Sequence, residues 1–275
     1  MTAIVLHYRY WPDVRLCLDA LLEQHPAEAV CIVDQSEDVV VFDELRVAYP
    51  KCHVIGRSNR GFAAGMNQGI ATCTGDTLLL AHDCVLEQGA VASMQARLSA
   101  APHVGLVGPM LGYRSDPDAI YSQGGLFEGR RMVTRHRLAG EQLAGHRSDA
   151  PITSMWLSGA CLVVRRAVLD SVGPLDETYF MYFEDVDYAL RVRRQGWSVE
   201  CVPEAVGWQE PGKPEREMWV RNRLRVLWRY NRSAWRLQLA RDIGATGGLT
   251  VRGRSKAARE VLRGVLRSRA PKALA

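Results

Sequence analysis

Three features of the sequence predict an α/β fold, a mixed and mostly parallel central sheet flanked by helices, with a helical C-terminal extension. Short continuous apolar runs alternate with segments of helical spacing over the first hundred residues, the pattern of strands buried on both faces by crossover helices. Tyr8, Asp34 and Asp83 each stand just past one of those runs, at the carboxyl ends of strands where such sheets bind ligands. Beyond residue 212 the periodicity is helical and the charge changes sign.

Residues 3–7 form the first apolar run, and Val14, Cys17, Leu18, Leu21 and Leu22 follow at helical spacing within 14–23. Residues 29–33 are apolar again and end at Asp34, and Val54–Ile55 close a weaker strand. Residues 61–73 read as a helix with a glycine-rich entry, 77–81 as a fully apolar strand ending at His82 and Asp83, and 87–99 as a helix. Residues 112–154 are glycine-rich and charged, and read as loops with a hairpin near 125–133. A strand at 155–164, a short helix at 166–172, a helix at 184–195 and a strand at 197–202 complete the body; helices dominate from 215. Repeats and long Gly/Pro linkers are absent from the sequence. The expected organisation is therefore a catalytic and ligand-binding domain over 1–212 and a basic helical extension over 213–275.

The composition, 275 residues with 47% hydrophobic and 24% charged, excludes a disordered or collagen-like chain. The apolar runs fall well short of the roughly 18 residues that span a bilayer. The start, MTAIVLHYRYW, lacks the basic leader of a signal peptide. Seven cysteines, an odd number with no CxxC pair, argue against a disulfide framework or a structural zinc, and fit the buried thiols of a cytoplasmic protein. The net charge of +5 conceals an asymmetry: residues 1–212 carry −8 and residues 213–275 carry +13. The basic segment calls for an anionic partner such as phosphate, nucleic acid or lipid headgroups.

Three segments carry chemistry. In SNRGFAAGMNQG (58–69) glycines permit close backbone approach ahead of a helix N-terminus, without the spacing of a Walker or dinucleotide loop. In FMYFEDVDY (180–188) three carboxylates, Glu184, Asp185 and Asp187, fall within four residues among aromatics. Such clustering is costly unless the acids bind a cation, share a proton or act as a base. Asp187 can instead pair with Arg191 four residues on, and Glu184 and Asp187 can favour the helix N-terminus. In WLSGACLVVRR (156–166) small residues between an aromatic and a strand suit either a substrate wall or a packing turn.

Taken in order, CIVDQS (31–36), NRGFAAGMNQG (59–69), LLLAHD (78–83), WLSGACLVVRR (156–166), GPLDETYFMYFEDVDYALRVRRQGW (173–197) and VRNRLR (220–225) resemble the family-2 glycosyltransferases, particularly the rhamnosyltransferase-like branch. The resemblance spans roughly residues 3–235. It implies a GT-A type fold and an inverting sugar transfer from a UDP- or dTDP-type nucleotide-sugar to an acceptor hydroxyl by single displacement. It implies that Asp34 receives the base of the nucleotide and that Tyr8 lines the same pocket. Asn59, Gly65 and Asn67 would shape the nucleotide and sugar site, and Asp83 would stand by the diphosphate and its metal. Trp156, Ser158, Gly159 and Ala160 would wall the sugar and acceptor. Asp185 would be the general base beside Glu184, and Arg221 would reach the leaving diphosphate. The acceptor would be a glycan, a lipid-linked molecule or a small molecule.

Two positions depart from that pattern. The family's Asp-x-Asp or Asn-x-Asp at the end of the strand is Ala81-His82-Asp83 here, and the histidine usual after the last strand is Gln209. Dependence on Mg²⁺ or Mn²⁺ is therefore open: Asp83 with water ligands could hold Mg²⁺, or C-terminal arginines could supply the positive charge. A non-catalytic nucleotide-sugar-binding homologue with a degenerate metal site is the alternative reading; the intact Glu184–Asp185 pair opposes it.

In the tail, Ala257, Ala258, Val261, Leu262, Val265 and Leu266 form an apolar stripe flanked by Arg254, Lys256, Arg259, Arg263, Arg267 and Arg269. The pattern fits a helix packed on the body, or a basic amphipathic helix on an anionic membrane surface, placing the protein in the cytoplasm or peripherally on the inner face of a membrane. Nucleic acid is not an expected partner, since no recognition motif accompanies the basic residues.

Overall fold

A computed structural model describes residues 1–9, 11–148, 150–251 and 255–268, with backbone alone over 248–251. Arg254 and Arg269 of the basic tail lie outside the described residues. In chain order the elements are β1 (Thr2–His7), α1 (Trp11–Leu22), β2 (Val30–Asp34), α2 (Val39–Ala48), β3 (His53–Gly56), α3 (Phe62–Ile70), β4 (Thr77–Ala81), β5 (Val85–Leu86), α4 (Ala90–Ala100), β6 (Val104–Tyr113), β7 (Ile120–Ser122), β8 (Gly125–Glu128), β9 (Val133–His136), β10 (Ile152–Thr153), β11 (Cys161–Val164), α5 (Arg166–Val172), α6 (Glu184–Arg194), β12 (Ser198–Gln209), α7 (Arg216–Tyr230), α8 (Arg232–Val251) and α9 (Ser255–Arg267).

The main sheet runs β10-β12-β6-β11-β4-β1-β2-β3, with β5 on β12 and β7 on β6. Strands β3, β2, β1 and β4 are mutually parallel, as are β6 and β12; β11 lies antiparallel between β4 and β6. The α/β expectation holds, and its strand-end residues collect on one edge. His7 is in register with Asp34, and Leu6 with Ala81.

Besides the short strands β5, β7 and β10, two longer elements, α2 and β6, were not legible in the sequence. The valine run of α2 favours a strand by propensity, yet parallel β2 and β3 require a crossover. Asp38 starts the helix by accepting the Val40 N–H at 2.9 Å, and Leu45 is its buried residue. Strand β6 carries Gly105, Gly108, Pro109 and Gly112, residues that ordinarily argue against a strand. Pro109 lies where the β6–β12 register shifts between Val202 and Val206, so a missing N–H is tolerated there. Strand β11 begins only at Cys161: Trp156 bridges to Gly125 instead, and residues 159–160 turn. Strand β12 runs on through Pro203 to Gln209 by means of the same register shift.

Two compact units make up the described chain: one holds residues 1–126, 136–180 and 184–211, the other residues 127–135, 181–183 and the described residues from Gly212 onward. The core of the first unit joins β1, β2, β4 and β11 to α1 and α4 through Val5, Leu18, Leu21, Ile32, Leu80, Met94 and Val163. Close helix–sheet packing requires two glycines of α3. A Cβ at Gly65 would stand 2.5 Å from Leu6, and one at Gly69 2.5 Å from Ile4. The core of the second unit is Val220, Leu224 and Val261 with Trp219, Trp235, Leu239 and Val265. A buried ion pair joins Arg223 of α7 to Asp242 of α8 at 2.7 Å, with Gln238 donating to the same carboxylate. Among the described residues no helix is long and apolar enough to cross a membrane.

Gly61 leads into α3 with φ of +99°, and a Cβ there would lie 2.3 Å from the Phe180 carbonyl oxygen, which accepts the Phe62 N–H. Both the left-handed backbone and the backbone clash oppose any side chain. Gly61→Ala is expected to lower unfolding stability by about 1–3 kcal/mol, measured by urea denaturation; a change within a few tenths would show that the contact with Phe180 yields freely.

Candidate active site

The first unit gathers polar side chains at the carboxyl ends of β1, β2 and β4. Asp34, the last residue of β2, is buried and accepts three hydrogen bonds. Its Oδ1 accepts from His7 at 2.8 Å and from the Ser36 N–H at 3.0 Å, and its Oδ2 accepts from the Ser36 hydroxyl at 2.8 Å. Burial alone would raise the Asp34 pKa, but these hydrogen bonds outweigh it and hold the carboxyl below its ordinary value. The buried Nε2 of His7 has no hydrogen-bond partner among the described residues, and the His82 ring meets the His7 ring edge-on at 5.5 Å. Tyr8, one residue further, is half-buried with the Arg9 guanidinium 4.9 Å from its ring centroid.

The glycine-rich segment is tied down locally. Asn59 Oδ1 accepts the Gly61 N–H at 3.0 Å. Asn67 donates to the Leu175 carbonyl at 2.9 Å and accepts the Leu175 N–H at 3.0 Å, latching α3 to the segment ahead of the acidic cluster. Gly65 lies under α3 against Leu6 and Gln35.

Asp83 follows β4 and accepts the Gln209 amide at 3.2 Å on each oxygen. One departure from the family pattern, Gln209, thus binds Asp83, the acid that the motif keeps after the other departure at Ala81. This donor set does not fit a resident cation: it is one carboxylate with both oxygens engaged by an N–H₂ group. Among the described residues no group of three or more His, Cys, Asp or Glu side chains could hold a metal.

The acidic cluster opens α6. Asp185 Oδ2 accepts the Gly159 N–H at 2.9 Å, and its Oδ1 accepts the Val186 N–H at 2.7 Å. Gly159 thereby serves Asp185 directly, while the Ser158 hydroxyl accepts the Ala160 N–H at 3.3 Å. Burial raises the pKa of both Glu184 and Asp185, and the charge of Asp185 raises that of Glu184 further. The two differ in their partners: Asp185 receives the Gly159 and Val186 N–H groups, whereas Glu184 has one backbone hydrogen bond and its buried Oε2 has no partner among the described residues. Hydrogen bonds to the ionised form favour it, so of the two Asp185 is the better placed to carry a charge and Glu184 to hold a proton. Asp187 is buried against Arg191 at 3.0 Å and the Tyr179 hydroxyl at 3.3 Å, the structural pairing expected of it.

Over this region runs an aromatic row. Trp156 is buried with its ring 4.8 Å from that of His136; His136 lies 4.5 Å from Tyr121, and Tyr121 5.4 Å from Tyr113. A Cβ at Gly125 would fall 2.1 Å from the Trp156 indole, so glycine seats that ring. Burial raises the Tyr121 pKa, and the charges of Asp185 and Asp83 add to the rise; Tyr121 therefore senses both acids. Burial also pushes the His136 pKa down to about 4, leaving a neutral ring. Arg221 lies on α7 in the second unit, where it donates to Asn222 Oδ1 at 2.8 Å; burial, then the neighbouring charge of Arg225, lowers its pKa.

The family model described as "Glycosyltransferase like family 2" matches residues 1–231. The chain belongs to glycosyltransferase family 2. It is similar to N-acetylglucosaminyl-diphospho-decaprenol L-rhamnosyltransferase of Mycobacterium tuberculosis, 30% identical over 185 residues, 57% of this chain and 58% of that protein. The chain thus spans somewhat over half the length of this curated relative. Among solved structures it is similar to GalNAc-T7 with UDP, GalNAc and Mn²⁺, with a TM-score of 0.65, 12% identity, and 84% of this chain and 48% of that chain covered. It is also similar to the mannosyltransferase PcManGT of Pyrobaculum calidifontis in complex with GDP-Man and Mn²⁺, with a TM-score of 0.57, 15% identity, and coverage of 97% and 86%. At these identities the two structures establish the GT-A fold.

For a family-2 chain, three features of this site escaped sequence reasoning. His7 was passed over for its neighbour Tyr8, although the parallel register that aligns His7 with Asp34 was available from the strand ends. Tyr121 and His136 lie in a segment without periodicity, where only a hairpin was readable. Gln209 was read as a departure without its partner, Asp83.

The Asp34 cluster makes a prediction. Its depressed pKa contributes stability that is present above the unfolded value near pH 4 and is lost as pH falls through the folded one. His7→Leu removes one of its donors and should cost about 1–3 kcal/mol at pH 7, with less of the remaining stability lost on acidification. Urea melts at pH 7 and about pH 3 read both; an unchanged midpoint at pH 7 would show the bond to be dispensable.

Proposed function

We propose that this protein is an inverting glycosyltransferase that moves a sugar from a UDP- or dTDP-type donor to the hydroxyl of a glycan or lipid-linked acceptor at the cytoplasmic face of a membrane. The observation that carries the reading is the Asp185 carboxylate, oriented by the Gly159 and Val186 N–H groups beside Glu184. Family membership supplies the reaction class, and the rhamnosyltransferase named above supports a lipid-linked acceptor. In a single displacement the acceptor oxygen attacks the anomeric carbon as its proton passes to Asp185. The acceptor O–C bond forms, the C–O bond to the diphosphate breaks, and the nucleoside diphosphate leaves with the electron pair. Glu184, holding a proton, adds no second charge against the incoming hydroxyl.

Donor recognition falls to the strand ends, with Asp34 and Tyr8 at the base and Asn59, Gly65 and Asn67 shaping the floor. Asp34 meets the nucleotide with the lone pairs that His7 and Ser36 leave free. The aromatic row Tyr121, His136 and Trp156 forms the wall toward the sugar and acceptor, with Ser158–Ala160 beneath it. Asp83, held by Gln209, faces the diphosphate side. Because Gln209 engages both its oxygens, divalent cations should bind the nucleotide-free protein weakly, which calorimetric titration of Mn²⁺ measures. That same engagement favours a second reading, a nucleotide-sugar-binding homologue without turnover. Release of nucleoside diphosphate that depends on an acceptor separates the two.

Asp185→Asn keeps the size and removes the proton acceptor; turnover should fall on the order of 10²–10⁴-fold, with donor affinity nearly unchanged. Asp34→Ala should weaken nucleotide binding instead. Near-normal turnover of a folded Asp185→Asn variant would move the base elsewhere, Glu184 first. A base must be deprotonated to act, and burial raises the Asp185 pKa. The acid limb of the pH–rate profile is therefore expected above the ordinary carboxylate range near pH 4; an acid limb at or below that range would contradict the assignment.

A further inference from the structure

The apolar stripe read along the tail divides in the structure. Ala258, Val261 and Gly264 of α9 turn inward and are buried. A Cβ at Gly264 would lie 2.6 Å from the Glu217 carbonyl oxygen and 2.9 Å from Val220, so α9 sits close against α7. Leu262 and Leu266 are left outward, 46% and 67% exposed. The other large exposed side chains of α9 are Lys256, Arg259, Arg263 and Arg267. The one acid of the helix, Glu260, is half-buried and paired with Arg216 at 3.6 Å. Arg267 pairs with Glu217 of α7. Among the described residues no carboxylate lies within ion-pair distance of Lys256, Arg259 or Arg263.

From this face we infer that the outward side of α9 docks on an anionic lipid bilayer, with Leu262 and Leu266 entering the acyl boundary and Lys256, Arg259 and Arg263 meeting headgroup phosphates. Packing consumes the inner face of the helix and, among the described residues, leaves the two leucines largely uncovered. Cations alone would suit any polyanion, but leucines interleaved with them gain only where apolar material lies beneath the phosphates. The charge of the region supports this occupant: residues 213–275 carry 17 Lys and Arg against 4 Asp and Glu, and each basic residue near such a surface adds to the attraction. The inference is independent of the catalytic reading, because none of these residues belongs to the candidate active site.

Co-sedimentation of the full chain with vesicles tests it, comparing phosphatidylglycerol–phosphatidylcholine mixtures with phosphatidylcholine alone. The wild-type protein is expected to bind the anionic vesicles and to be released by salt. Leu262→Ser with Leu266→Ser should lower partitioning by about tenfold or more. Arg259→Gln with Arg263→Gln should lower it by about fivefold for each cation removed. All four side chains point outward, so far-UV circular dichroism and donor binding should be unchanged. Equal binding to neutral and anionic vesicles, no binding to either, or binding that survives loss of both leucines would each overturn the proposal.

Discussion

The hydrogen bond from the Gly159 N–H to Asp185 at 2.9 Å is the contact on which the site depends. It joins the start of α6 to the turn that precedes β11. The next residue of that turn, Ala160, accepts the Ala81 N–H through its carbonyl at 2.9 Å, and Ala81 closes β4 two residues before Asp83. Three covalently distant segments, carrying the acid at the strand end, the small-residue turn and the acidic cluster, are thereby held in one register. A Cβ at position 159 would stand 3.5 Å from that of Asp185 and 3.4 Å from the Phe62 ring, ordinary van der Waals distances, so it is the backbone N–H of this turn and not the absence of a side chain that serves Asp185. The late start of β11 accords with this contact: residue 159 gives its N–H to a carboxylate instead of a neighbouring strand.

This arrangement is costly, which argues that it is kept for function. Adjacent carboxyls, one buried and one half-buried, repel one another when both ionise, and folding raises the pKa of both, so they oppose stability as pH rises above the ordinary carboxylate range. The backbone ahead of them is strained as well: Phe180, Tyr182 and Phe183 have φ of 56°, 67° and 71°, a region that non-glycine residues seldom occupy. Asn67 offsets part of that cost by binding both backbone groups of Leu175. Strain and clustered acids at one place mark a site in which geometry outranks stability.

Much of the fold was legible because its strands are short, apolar and punctuated by acids, and its helices keep their period. What escaped notice has physical reasons. Helix α2 is a valine-rich segment made helical by the crossover between parallel strands and by the Asp38 cap. Strand β6 tolerates Pro109 because a register shift in β12 lies beside it. In the site, Asp34, Asp83, Gly159 and Asp185 could be named from spacing and resemblance, since each sits in a short motif. Tyr121 and His136 could not, because their neighbourhood is created by tertiary stacking on Trp156. The bond between Gln209 and Asp83 likewise spans 126 positions. The tail was readable as amphipathic, but which apolar residues pack and which project was decided by the close approach of Gly264 to α7.

The central claim is a division of labour between adjacent acids, with Asp185 ionised to take the proton and Glu184 neutral. Carboxyl-carbon NMR of the folded protein, with Asp and Glu labelled and the pair assigned through Asp185→Asn and Glu184→Gln, reads the two protonation states directly. At pH 7 the account predicts the Asp185 resonance at its ionised position and the Glu184 resonance at its protonated one, with the second ionisation of the pair at higher pH. A protonated Asp185 beside an ionised Glu184 at pH 7 would contradict it.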